Sequence, residues 1–133
     1  MADVSKRILC VEDDRDAREM ITIMLRQANP AYSVTAVGTA AEALDLSGRK
    51  PFDLYVLDIW LPGMDGMSLC RRLRDRGYKT PIIFFSAMVR PKDREYGLAA
   101  GADEFLVKPA DLDRFLPTIA RLLDDRPTAE AII

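Results

Sequence analysis

At 133 residues the chain has the size of one domain with one sizeable core, and its 49% apolar and 30% charged content is ordinary for a globular fold. Nineteen Lys and Arg against 21 Asp and Glu leave a net charge of −2, which excludes the broad basic face that direct, non-specific nucleic-acid binding needs. The complete absence of histidine excludes a His-ligated metal site and any Ser-His or Cys-His catalytic machinery.

In chain order, Met1–Ser5 holds no apolar core of a signal peptide, so none is expected. Ile8–Val11 is a continuous apolar run, the pattern of a strand buried on both faces. Ala17, Met20, Ile21, Met24 and Ala28 then trace one stripe of a helix. Tyr32–Val37, β-branched and partly polar, reads as an edge strand. Thr39 and Glu42 form a capping-box signature for a second helix, expected to end near Gly48. Leu54–Leu57 is the next buried strand. Leu69, Cys70 and Leu73 mark a third helix with Gly77 as its stop. Ile82–Phe85 is a further apolar run, and Pro81–Val89, interrupted by Ser86, is too short to span a membrane. A short helix is predicted over about Lys92–Ala100, ending at Gly101, and a fifth strand over Phe105–Val107. Leu112, Phe115, Leu116, Ile119 and Leu123 define a last helix, with Pro117 inside it at the cost of a hydrogen bond or a bend. Residues 124–133 are expected to be a C-terminal tail or the start of a linker, after one domain over 1–123. Cys10 and Cys70, in no metal or redox spacing, read as reduced thiols of a cytoplasmic protein.

Five strands alternating with five helices predict an α/β fold with a parallel sheet covered on both faces. In such sheets ligands bind beyond the carboxyl ends of the strands. Glu12, Asp13 and Asp14 follow the first strand, Asp58 the third, Ser86 the fourth and Lys108-Pro109 the fifth. Each alone has a bland reading, as a helix cap or a solvated charge. Their convergence on one rim does not. Crowded carboxylates call for a cation, and with only oxygen donors available Mg²⁺ is the fitting one. Mg²⁺ held by few carboxylates points to a phosphate substrate, with Lys108 and Ser86 as its cation and hydroxyl donor. Asp58 is then the candidate nucleophile, a carboxylate that needs no general base.

Val11-Glu-Asp-Asp14, Leu57-Asp58-Ile-Trp-Leu-Pro62-Gly-Met-Asp65-Gly66, Phe85-Ser86-Ala87 and Gly101-Ala-Asp-Glu-Phe105-Leu-Val-Lys108-Pro109 together resemble the receiver domain of two-component response regulators, over essentially the whole chain to Leu123. The resemblance implies a flavodoxin-like (βα)5 fold with sheet order 2-1-3-4-5. It makes Asp58 the phosphoacceptor. Glu12 and Asp13 become the acidic pair for Mg²⁺, Asp13 directly and Glu12 through water, with the Trp60 backbone carbonyl as a further ligand. Asp13 with Asp14 is the alternative pairing. Ser86 and Lys108 match the residues that contact the phosphoryl group, Lys108-Pro109 is expected to be a cis peptide, and Phe105 matches the aromatic switch residue. The surface of helix four, strand five and helix five is the expected output face. Trp60 and Met88, two residues beyond Asp58 and Ser86, flank the site with apolar bulk, predicting restricted water and slow self-dephosphorylation. The implied partners are a histidine kinase or histidine phosphotransfer protein as donor and a protein target for output, with no membrane partner; no DNA-binding module follows in this sequence. Monomer and dimer both stay open. Two alternatives have different chemistry. One is a constitutive protein-binding module that does not use phosphorylation. The other is a haloacid-dehalogenase-type phosphohydrolase, whose Asp-x-Asp requirement fails at Asp58-Ile59-Trp60.

Overall fold

The computed structural model describes residues 5–87 and 89–124. Ten elements alternate strictly: β1 Lys6–Val11, α1 Arg15–Ala28, β2 Tyr32–Val37, α2 Ala40–Arg49, β3 Leu54–Leu57, α3 Gly66–Asp75, β4 Ile82–Ser86, α4 Asp93–Ala99, β5 Glu104–Val107 and α5 Leu112–Asp124. All four strand pairings are parallel, and the sheet order is β2-β1-β3-β4-β5. The order reverses at β1, whose register runs Ile8 opposite Val34 on one side and Leu54 on the other.

Alternation along the central strands divides the core into two layers. Ile8, Cys10, Leu54, Val56, Ile83 and Phe85 face α1 and α5, where Ile21, Leu25, Phe115, Ile119 and Leu123 close the layer. Leu9, Val11, Tyr55, Leu57, Phe84 and Phe105 face the other way, onto Ala43 of α2 and Leu69, Cys70 and Leu73 of α3. Each fully buried Leu, Ile or Phe contributes about 1.5–3 kcal/mol of transfer free energy.

The caps follow local chemistry. Thr39 Oγ1 accepts from Glu42 N at 3.2 Å and donates to Glu42 Oε1 at 3.0 Å, a complete capping box. The helix it starts ends at Arg49, near Gly48 as expected. Lys50 N still reaches Leu46 O at 3.1 Å, so no left-handed turn is needed there. Gly77 and Gly101, at φ +85° and +114°, do adopt the left-handed region that ends a helix. α5 keeps Pro117 in its interior, held by the burial of Phe115, Thr118, Ile119 and Leu123 around it. Lys108-Pro109 is cis. Among the described residues no helix is long and apolar enough to cross a membrane. The tail expected over 124–133 lies, beyond Asp124, outside the described residues.

Candidate functional site

The carboxyl ends of β1, β3, β4 and β5 bring Glu12, Asp58, Ser86 and Lys108 to one edge of the sheet. Parallel pairing does the positioning: Asp58 N donates to Val11 O at 3.0 Å, and Lys108 N to Ser86 O at 2.9 Å. Each strand's last hydrogen bond therefore fixes the residue that carries the chemistry.

Carboxylate oxygens of Glu12, Asp13 and Asp58 all lie within 4.8 Å of one another. Glu12 is buried, Asp13 is exposed, and Asp58 is only 9% exposed. Lys108 Nζ donates to Glu12 Oε1 at 2.8 Å, and Asp14 N donates to Glu12 Oε2 at 3.2 Å. Asp58 Oδ1 accepts the Ser86 hydroxyl and, at 3.3 Å, the Trp60 amide. Asp14 is occupied elsewhere, accepting from Ala17 N at 2.8 Å as the cap of α1.

Burial, and after it the nearby Glu12 charge, raise the Asp58 carboxyl to about 6 against the pull of the Ser86 hydroxyl. Burial also works against the Glu12 charge, but the Lys108 ammonium and the Asp14 amide outweigh it and hold Glu12 below its ordinary value. Asp13 is raised, first by desolvation and then by Glu12. Lys108 is bonded to Glu12, the most buried of the three clustered carboxyls. This donor set, all oxygen and short of positive charge, fits a hard divalent cation such as Mg²⁺.

Ser86 is fully buried beneath Asp58. Phe105, on β5, is 1% exposed, its ring 5.8 Å from that of Phe84. Trp60 is 45% exposed; its indole N–H donates to Ala87 O at 3.2 Å, bridging the loops after β3 and β4. Met88 lies outside the described residues.

Two contributors have contacts that the sequence does not give. Arg18, on α1, donates through Nη1 to Glu12 O at 2.8 Å and Asp13 O at 2.9 Å, tying down the acidic loop. Gly66 sits where a Cβ would come within 1.9 Å of Asp58 O, so only glycine lets α3 begin against Asp58. Gly66 stands inside the Leu57–Gly66 run, where the motif points to it without giving the contact.

Fold and site together define a doubly wound parallel α/β domain with an acidic, lysine-bearing pocket at its switch-point edge. The model of the response regulator receiver domain family matches residues 8–120, and the chain belongs to that family. Similar proteins include the response regulator ArlR of Staphylococcus epidermidis, 35% identical over 94% of this chain and 56% of its own length. The transcriptional activator protein PfeR of Pseudomonas aeruginosa is 40% identical over 95% of this chain and 42% of its own length. The chain spans about half the length of these curated relatives. Among solved structures, the receiver domain of the Francisella response regulator 1452 superimposes with a TM-score of 0.83 at 28% identity, covering 91% of this chain and 98% of that one. The chemotaxis protein CheY4 of Vibrio cholerae gives 0.80 at 29% identity, covering 90% and 99%.

Proposed function

We infer that this domain is a phosphorylation-dependent switch that takes a phosphoryl group on Asp58 from the phosphohistidine of a histidine kinase or histidine phosphotransfer protein. The observation that carries the reading is the meeting of Glu12, Asp13 and Asp58 with Ser86 and Lys108 at one sheet edge. An Asp58 carboxylate oxygen attacks phosphorus while the bond from phosphorus to the imidazole nitrogen breaks, and the imidazole leaves with the histidine protein. These 133 residues hold no histidine, so the phosphohistidine comes from outside this domain.

Asp13 and Asp58, with Glu12 and the Trp60 carbonyl, would hold Mg²⁺, which when bound offsets the carboxylate repulsion and the phosphoryl charge. Lys108, now on Glu12, is within the same cluster and supplies a cation to the new phosphoryl oxygens. Ser86 already points its hydroxyl at Asp58 and donates to the group formed there. Holding Ser86 on the phosphoryl group favours the inward Phe105 ring and so biases the surface of α4, β5 and α5 between two states. Tyr96 and Leu98 of α4 and Leu112 of α5 are exposed apolar side chains on these output elements, suited to a protein target. The domain catalyses only the gain and loss of its own phosphoryl group, and Trp60, with Met88, restricts the water that removes it. Its setting is cytoplasmic.

Trp60 is the only tryptophan and reports the site directly. Its fluorescence is expected to change on adding Mg²⁺ and to change again with acetyl phosphate or beryllofluoride. In Asp58→Asn the second step disappears. A donor-dependent step that survives Asp58→Asn would sink the assignment of the acceptor.

A further inference from the structure

α4 packs against β5, the strand that carries Phe105, and it does so with a glycine in its interior. Gly97 is buried mid-helix. Glycine there destabilises a helix relative to alanine, because its backbone has more freedom to lose and no side chain to pack. Three other features of α4 follow ordinary rules: Asp93 and Glu95 lie in its first turn, Tyr96 faces solvent, and Gly101 ends the turn that follows. Gly97 alone needs a reason.

The reason is contact with aromatic rings. A Cβ at position 97 would stand 2.8 Å from Phe105 Cδ2, 3.1 Å from Phe105 Cε2 and 3.1 Å from Phe84 Cδ2. Carbon atoms at rest sit about 3.5–4.0 Å apart, so at least one neighbour must move. Neither ring is the free end of a flexible chain: Phe84 and Phe105 are both fully packed, tilted against each other in the layer between sheet and helices. Phe84 is fixed by its strand, paired with Phe105 in register on one side and with Leu57 on the other. Phe105 is the less constrained of the two, because β5 is the edge strand and pairs on one side only.

We propose that Gly97 is the positioning residue for the Phe105 switch: the missing side chain creates the space that the inward ring occupies. Any side chain at 97 displaces the equilibrium toward an outward ring. This rests on the reading of Phe105 as the switch. It adds that α4 contributes to the switch position as well as responding to it. Because the phosphorylated site and the inward ring favour one another in that reading, a substitution that expels the ring must also weaken binding at Asp58. The effect runs from Gly97 to a site it does not touch.

The test uses four proteins: the unaltered chain, Gly97→Ala, Phe105→Leu and the pair together. Phe→Leu removes about as much volume as Gly→Ala adds, so the double variant restores the packing. Two quantities are read: beryllofluoride affinity in Mg²⁺ from Trp60 fluorescence, and the ring signal of Phe105 by ¹⁹F NMR of fluorophenylalanine-labelled protein, assigned by its loss in Phe105→Leu. Gly97→Ala is expected to weaken beryllofluoride binding about tenfold and to move the Phe105 signal to a solvent-exposed position. In the Phe105→Leu background the same substitution changes affinity less than twofold. If Gly97→Ala does not fold while the double variant does, that rescue also supports the contact. An equal loss in both backgrounds, or an unmoved ring signal with unchanged affinity, overturns the proposal. A failure of the switch reading itself looks different: the unaltered protein then shows no beryllofluoride response, while the ring signal still reports the packing at Gly97.

Discussion

Asp58 is the residue at which structure and chemistry pull apart. Its carboxyl is buried beside Glu12 with no cation of its own, and its proton is held up to about 6. A folded carboxyl that binds its proton more tightly than the unfolded chain favours the fold when protonated. That contribution is complete below the unfolded value near pH 4 and is lost as pH rises through 6. At neutral pH without Mg²⁺ the charged Asp58 therefore costs stability, by about 1–3 kcal/mol from the size of the shift. Asp58→Asn removes the charge and leaves an oxygen to accept the Ser86 hydroxyl. The variant is expected to unfold at higher urea than the parent at pH 7, with the advantage fading toward pH 4. A difference that stayed constant with pH would show that Asp58 is not the strained group. Lys108 is the reverse case. It supports a Glu12 held below its ordinary value, so Lys108→Met leaves a buried carboxylate without its ion pair. The expected loss is about 2–4 kcal/mol at pH 7, shrinking in acid as Glu12 takes up a proton.

Between elements, the loops after β3 and β4 are joined by one side chain. Trp60 bonds to Ala87 O through its indole and lies beneath the Arg90 guanidinium, whose carbon is 5.5 Å from the ring centroid. Arg90 in turn reaches Asp93, which is 1% exposed and accepts Arg90 N at 2.7 Å at the start of α4. The loop after β3 is thus connected to the start of α4 through Trp60, Arg90 and Asp93. Each link is worth about 1 kcal/mol or less, so this route positions the loops and does not by itself drive α4. Its larger consequence is for water. Trp60→Phe keeps an apolar ring over the site and is expected to leave the phosphoryl lifetime within about twofold, whereas Trp60→Asn shortens it about tenfold, a barrier change near 1.4 kcal/mol. Decay of the acyl phosphate after donor removal measures both, and equal lifetimes for Phe and Asn would dismiss the ring as a water shield. At this scale much was legible beforehand. Continuous apolar runs marked β1, β3 and β4 because a strand covered on both faces has no polar side to show. Arg18 escaped because its partners are backbone carbonyls, which every residue owns and no pattern advertises.

For the whole molecule, two apolar layers hold the sheet rigid, and the polar residues gather where the strands run out. That division is why the candidate site could be read from the residue after each strand, while Gly66 and Gly97 could not: their meaning depends on which element crosses them in space. It also determines how a bound ion should act on the fold. Glu12 and Asp13 follow β1 and Asp58 follows β3, so an ion shared among them ties the two strands together in the native state and finds no such cluster in the unfolded chain. Saturation at a hundredfold excess over its dissociation constant adds about 2.7 kcal/mol, or roughly 5 °C or more in melting temperature for a domain of this size. At pH 5 Asp58 is largely protonated, and Mg²⁺ must displace that proton before it binds. Thermal melts with and without Mg²⁺ should therefore show a shift at pH 7.5 at least twice that at pH 5, and chelation should reverse it at either pH. In Asp58→Asn both shifts should be small and nearly equal. If the parent protein responds equally to Mg²⁺ at the two pH values, Asp58 is outside the ion's coordination, and the acidic pair alone is the metal site.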